Sequence, residues 1–158
     1  MKSAAVLTVS DSSSRGERDD RSGPATAALL RQHGFDVTLH ETVPDDRAAI
    51  EAALIRLSEQ VRLVVTTGGT GIAERDVTPE ATRVVCSRLI DGIPEKMRAA
   101  GLQHTPNAVL SRGLCGVRGQ CLILNLPGSP TGALQSLEAV IGILPHAVDL
   151  LAGHTEHK

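Results

Sequence analysis

Ala4 to Val9 is a short apolar run, with Thr8 its one polar member, a length that suits a buried strand. It stops at Ser10-Asp11-Ser12-Ser13-Ser14, so the strand delivers hydroxyls and a carboxylate to its C-terminal edge. Arg15 to Ser22 is charged and aperiodic and is expected as a mobile surface loop, after which Pro24 opens a helix through Ala28, Leu29 and Leu30 that ends at Gly34. Phe35, Val37 and Leu39 alternate with Asp36, Thr38 and His40, the period of a half-buried strand. That strand runs into Val43-Pro44-Asp45-Asp46, where Asp45 or Asp46 can cap the next helix. Ile50, Leu54, Leu57 and Val61 recur at helical spacing and predict that helix as amphipathic, from about Arg47 to Gln60.

The second half repeats the alternation. A strand over Leu63 to Thr67 stops at Gly68-Gly69-Thr70-Gly71, and Thr78-Pro79 supplies an N-cap and a first-turn proline for a helix through Leu89. A further helix fits Pro94 to Leu102, and strand signals follow at Ala108 to Leu110 and at Cys121 to Leu126, leading into Pro127-Gly128-Ser129-Pro130. The last helical stretch begins near Gly132, and Pro145 splits or kinks it before Ala147 to Leu151 closes the fold. Residues 153–158 form a polar tail in which His154 and His157 are expected to be solvated. Strands alternating with helices of about a dozen residues describe a three-layer α/β sandwich, a largely parallel sheet with helices on both faces. No internal repeat is visible, and 158 residues suit one domain.

Composition narrows the function classes. A net charge of -2 argues against a chain that coats nucleic acid or anionic membrane. With Phe35 the sole aromatic residue, base-stacking platforms are absent and the core is aliphatic. No segment reaches the roughly 18 unbroken apolar residues of a membrane span, and the N-terminus does not read as a signal peptide. Cys86, Cys115 and Cys121 form no CxxC pair, which fits a reducing, cytoplasmic setting and buried small hydrophobes.

In open α/β sheets, ligands gather beyond the carboxyl ends of the strands. Three such ends carry small or polar residues here: Ser10-Asp11-Ser12, Thr67-Gly68-Gly69-Thr70-Gly71 and Pro127-Gly128-Ser129. Glycines let backbone N–H groups approach an anion, and Thr67 and Thr70 add hydroxyl donors. No Gly-Lys-Ser/Thr follows and the dinucleotide spacing fails, so by itself the stretch reads equally as a tight turn. Arg75-Asp76 and Thr78 at a helix start bring a cation, a carboxylate and a helix N-terminus to the same loop. Asp45 is a second carboxylate after another strand. A helix cap would explain Asp45 and a turn would explain Asp76, but as a pair they could hold magnesium, which takes a couple of carboxylates plus substrate phosphates. The six histidines are scattered, with no zinc-type spacing.

The string Thr66-Thr67-Gly68-Gly69-Thr70-Gly71-Ile72-Ala73-Glu74-Arg75-Asp76-Val77-Thr78-Pro79-Glu80-Ala81-Thr82 resembles the MogA/MoaB family, whose eukaryotic relative is the G domain of gephyrin. Further matches span nearly the whole chain: Asp20-Arg21-Ser22-Gly23, Val43-Pro44-Asp45, Leu110-Ser111-Arg112, Cys115-Gly116-Val117-Arg118-Gly119, Asn125-Leu126-Pro127-Gly128-Ser129 and Leu144-Pro145-His146-Ala147. The resemblance implies a homotrimer that binds molybdopterin and, in the MogA branch, adenylylates it with MgATP, releasing pyrophosphate and passing the product to a molybdate-insertion protein. It places the family's two important aspartates on Asp45 and Asp76, as catalytic groups and magnesium ligands. It places substrate contacts on Ser10, Asp11, Thr67, Gly68, Gly69, Thr70, Gly71, Arg75, Thr78, Ser111, Pro127, Gly128 and Ser129. The attacking group in the family's mechanism is the pterin's terminal phosphate, so no protein nucleophile is required. Arg75-Asp76-Val77-Thr78-Pro79 and the Leu-Pro-His ending favour the MogA side over a MoaB-type pterin carrier. Larger insertion proteins and CinA-like proteins contain the same domain, but this length leaves no room for their extra domains.

Overall fold

The central strands are apolar on both faces, so both faces must be covered, and this sets the layers. The computed structural model describes residues 2–154; His157 and the rest of the tail from residue 155 lie outside them. In chain order the elements are β1 (Lys2–Val9), the single turn α1 (Asp11–Ser14), α2 (Ser22–Gln32), β2 (Phe35–Val43), α3 (Arg47–Ser58), β3 (Leu63–Thr67) and α4 (Thr78–Val85). They continue as β4 (Arg88–Leu89), α5 (Gly92–Gly101), a 3-10 segment (Pro106–Leu110), β5 (Cys115–Arg118), β6 (Cys121–Leu126), α6 (Pro130–Val140) and α7 (Leu144–Leu151). Alternate strand residues point to opposite sides. Ala4, Val6, Leu63 and Leu124 meet Leu30, Leu137 and Leu144 of α2, α6 and α7. Ala5, Leu7, Val64 and Ile123 meet Ile50, Leu54 and Ala81 of α3 and α4 on the other side. The result is the expected three-layer sandwich. Among the described residues no single helix is long and apolar enough to cross a membrane.

The sheet order is β2-β1-β3-β6-β5-β4. The first four strands are parallel, β5 runs antiparallel to β6, and β4 antiparallel to β5. From β1 the chain crosses outward to β2 and then returns past β1 to β3. Loops leaving β1 and β3 therefore diverge, opening a crevice at their carboxyl ends.

Two expectations are corrected and one further strand appears. The helix predicted through Leu89 ends at Val85, because Cys86 turns extended. Ser87 N–H then donates to Val117 O at 2.8 Å and Ile90 N–H to Cys115 O at 2.8 Å, so the segment becomes the short edge strand β4. The strand expected at Ala108 to Leu110 is 3-10 helix, since Thr105 caps it by accepting from Asn107 N–H and Pro106 locks the first turn. β5 had no distinct signal of its own: its four residues, with Gly116 among them, carry little pattern. Pro145 does split the C-terminal stretch, with α6 and α7 meeting at 66°.

Asn125, 1% exposed, ties the layers together near the crevice. Its Nδ2 donates to Thr66 Oγ1 at 3.1 Å and to Thr82 Oγ1 at 3.0 Å, while its Oδ1 accepts from Leu114 N–H at 3.0 Å. One amide thus joins β6, β3, α4 and the lead into β5. Replacing it with Leu leaves buried polar partners unsatisfied, and the Asn125→Leu variant should lose about 3 kcal/mol in urea titrations at an unchanged m-value.

Candidate functional site

Each strand end is shaped by its own capping. Ser10 accepts from Ser13 N–H at 3.2 Å and starts α1. At the end of β2 the helix cap is Asp46, which accepts from Ala49 N–H at 2.9 Å. Asp45 is thereby released from capping and enters a reciprocal clasp: Asp11 N–H donates to Asp45 Oδ2 at 3.0 Å, and Asp45 N–H donates to Asp11 Oδ1 at 2.9 Å. Arg75 closes the clasp, with Nε donating to Asp11 Oδ2 at 2.6 Å and a terminal nitrogen to Asp11 Oδ1 at 2.9 Å and Asp45 O at 3.0 Å.

The glycine turn is dictated by close approach. Gly68 and Gly69 have φ of +98° and +69°, a region that favours glycine. A Cβ on Gly68 would collide with the Val9 carbonyl, and one on Gly69 would collide with the Thr78 hydroxyl and come within 3.2 Å of Asp45 Oδ1. Thr78 is fully buried; its hydroxyl donates to Gly68 O at 2.9 Å and its N–H to Gly69 O at 3.2 Å. Val77, not Thr78, is the cap residue of α4.

Two cavities open on either side of this turn, of about 430 and 570 Å³, and they share Gly69, Asp76, Gly128 and Ser129 as a common wall. Ser10, Asp45, Thr67 and Gly68 line the smaller, polar chamber. Thr70, Gly71, Ser111 and Pro127 line the larger one, beside Met97 and Leu110. The ends of all four parallel strands therefore converge, one more than the three glycine- and serine-rich ends suggested. Asp11, Arg75 and Thr78 line neither chamber: the first two are engaged in the clasp and the third braces the turn. Their polar atoms are engaged by protein partners in this structure.

Sequence reasoning missed residues of the polar chamber's floor. Thr8 Oγ1 donates to Asp20 Oδ2 at 2.6 Å, Asp20 Oδ1 accepts from Gly23 N–H at 2.9 Å, and Ser22 Oγ donates to Thr67 Oγ1 at 3.1 Å. Their signal was Asp20 three residues before Gly23, the spacing of a helix cap. Arg98, against the larger chamber, had no sequence signal.

Charge distinguishes the two clasped aspartates. Burial pushes the Asp45 carboxyl above its ordinary 3.8, and the neighbouring charges of Asp11 and Asp76 push it the same way. The Arg75 guanidinium holds Asp11 below that value. Asp45 Oδ1 and Asp76 Oδ1 carry none of the hydrogen bonds that engage their Oδ2 atoms. Two carboxylates beside a glycine-bare wall fit a hard cation completed by phosphate oxygens and water. Among the described residues no cluster of three or more His, Cys, Asp or Glu could cage a metal unaided. Burial raises the Cys86 thiol to about 11 and those of Cys115 and Cys121 to about 12, and all three lie away from both chambers. None is therefore a thiolate nucleophile for this site.

Because its folded-state pKa is raised, the ionised Asp45 disfavours folding at neutral pH, and this effect fades as pH falls through the raised value toward 3.8. Asp45→Asn should melt at or above the wild-type temperature at pH 7, with the difference shrinking in acid; thermal melts across pH 4 to 8 measure it.

Residues 5–146 match the family described as "Probable molybdopterin binding domain". A molybdopterin adenylyltransferase from Helicobacter pylori is 44% identical over 153 residues, covering 94% of this chain and 87% of the relative. A solved molybdopterin biosynthesis enzyme MoaB from Thermus thermophilus superposes with a TM-score of 0.92 at 49% identity, covering 97% of this chain and 98% of that one. The molybdopterin biosynthesis Mog protein from Mycobacterium ulcerans gives 0.88 at 42% identity, covering 96% and 97%. Matched from strand β1 into helix α7 and sharing this sheet, the chain belongs to the molybdopterin-binding family of molybdenum-cofactor biosynthesis, the MogA/MoaB group that its glycine loop resembles.

Proposed function

We propose that this chain is a molybdopterin adenylyltransferase, transferring an adenylyl group from ATP to the terminal phosphate of molybdopterin. The observation that carries the reading is the wall shared by the two chambers, where Asp76, Gly69, Gly128 and Ser129 face both. Each chamber takes one substrate, and their phosphates meet at that wall. An oxygen of the pterin phosphate attacks the α-phosphorus of ATP; the new P–O bond forms as the bond to the β-phosphate oxygen breaks, and pyrophosphate leaves. The protein contributes orientation through the glycine backbone and the Ser129 hydroxyl, which suffices for a reaction whose nucleophile is on the substrate.

Asp45 and Asp76 are the residues that would hold magnesium, which when bound neutralises charge on the phosphates. Asp11 and Arg75 keep the Asp45 backbone in place through the clasp. The chain acts as a homotrimer, a reading supported by exposed Leu102 just after α5 and exposed Val109 on the 3-10 segment. It hands its product to a molybdate-insertion protein in the cytoplasm, where thiols such as Cys86 stay reduced.

A pterin carrier of the MoaB type is the second reading, because the family match at residues 5–146 is to a domain described by pterin binding alone. Pyrophosphate release with molybdopterin, ATP and magnesium separates the two. The wild type should turn over, Asp76→Ala should lose about 100-fold or more in kcat/KM while still binding pterin, and chelation of magnesium should stop the reaction. Pterin binding without pyrophosphate release by the wild type would establish the carrier.

A further inference from the structure

Arg112 lines neither chamber, yet it grips both ends of the loop that presents Asp76. Its main-chain N–H donates to Thr70 O at 2.8 Å. Its Nε donates to Gly71 O at 2.8 Å, and one terminal nitrogen donates to Asp76 O at 2.7 Å. The same nitrogen donates to Glu80 Oε1 at 3.2 Å and the other terminal nitrogen to Glu80 Oε2 at 2.6 Å, which orients the guanidinium from the first turn of α4. The loop has little else to hold it. Ile72 at its tip is 68% exposed, and its own bonds are the turn from Asp76 N–H to Ala73 O and the return from Ala73 N–H to Asp76 Oδ2, both 3.0 Å. Further ties are Arg75 to the clasp, through a side chain 67% exposed, and Val77 packed at the loop's end against the core beside α3 and α4.

We propose that Arg112 is the positioning residue of this site, fixing the Asp76 carboxylate at the shared wall by clamping the carbonyls of Gly71 and Asp76. The fork geometry is the reason an arginine stands here. A planar guanidinium reaches two carbonyls and a carboxylate at once, whereas a lysine ammonium on a flexible stem is a point charge without that fork. The ion pair with Glu80 contributes little to folding by itself, since the two side chains are 37% and 40% exposed. The Glu80 carboxyl is held below its ordinary range by Arg112, so the clamp stays charged through neutral pH.

The activity part of this inference rests on the adenylyltransferase reading; the loop part does not. Wild type, Arg112→Ala and Arg112→Lys are compared as full chains by hydrogen exchange and by pyrophosphate release over a range of magnesium concentrations. In Arg112→Ala, amides of residues 70–77 should exchange about tenfold faster while α3 and the central strands are unchanged. The magnesium concentration for half-maximal rate should rise about 10-fold or more, with Arg112→Lys failing to restore either property. A folded variant with wild-type loop exchange and wild-type magnesium dependence would overturn the proposal. If Arg112→Ala does not fold, Arg112→Lys decides by the same two readouts. If the wild type releases no pyrophosphate, adenylyl transfer is refuted, and loop exchange in the variants still decides the clamp.

Discussion

The site depends on the backbone of Gly68 lying against the carbonyl of Val9, with no room for a Cβ between them. That contact joins the ends of β1 and β3 at the place where the sheet's connections diverge. Both chambers are built around it. On one side Ser10 and Asp45 follow strands β1 and β2; on the other Thr70 and Gly71 continue the same turn toward Ser111. Thr78 holds the arrangement from below by bonding both glycine carbonyls. A buried hydroxyl is an effective brace, because its partners would otherwise be unsatisfied polar groups at the head of a helix.

Charge follows a division of labour that residue type alone does not reveal. Two arginines that look available for phosphate are committed to protein groups, Arg75 to Asp11 and Arg112 to Glu80 and two carbonyls. The carboxylates facing the chambers, Asp45 and Asp76, keep one oxygen each outside those networks. Asp45 is burdened by burial and by the like charges of Asp11 and Asp76, and the Asp11 N–H and the Arg75 charge offset only part of this. The carboxylate pair beside the glycine-bare wall is the feature on which the proposed magnesium role rests.

Much of this architecture is legible in the residue pattern. The mainly aliphatic runs at Ala4 to Val9, Leu63 to Thr67 and Cys121 to Leu126 appear as strands because burial on both faces demands mostly apolar stretches. α3 is recognisable from Ile50, Leu54 and Leu57, and the C-terminal break from Pro145. The edge of the sheet is different. β4 and β5 form because each satisfies the other's backbone groups there, with Cys86 filling the space above Gly116. β4 has two residues and meets β5 far along the chain, and β5, though joined to β6 across the short Gly119-Gln120 turn, has four, so neither is long enough to show a period.

The order of apolar and polar residues therefore determined the layers, the glycine turn, the two aspartates and the family, since burial periodicity and short motifs are local properties of the chain. Folding decided which polar atoms remain available. Thr78, Asp11 and Arg75 carry the chemistry of ligand contacts but are engaged by neighbours 10, 34 and 64 residues away. Thr8, Asp20 and Ser22 reach the polar chamber only because α2 folds back beside β1. A hydrogen bond belongs to whichever partner comes within about 3 Å, and across such separations proximity is a property of the packed structure alone.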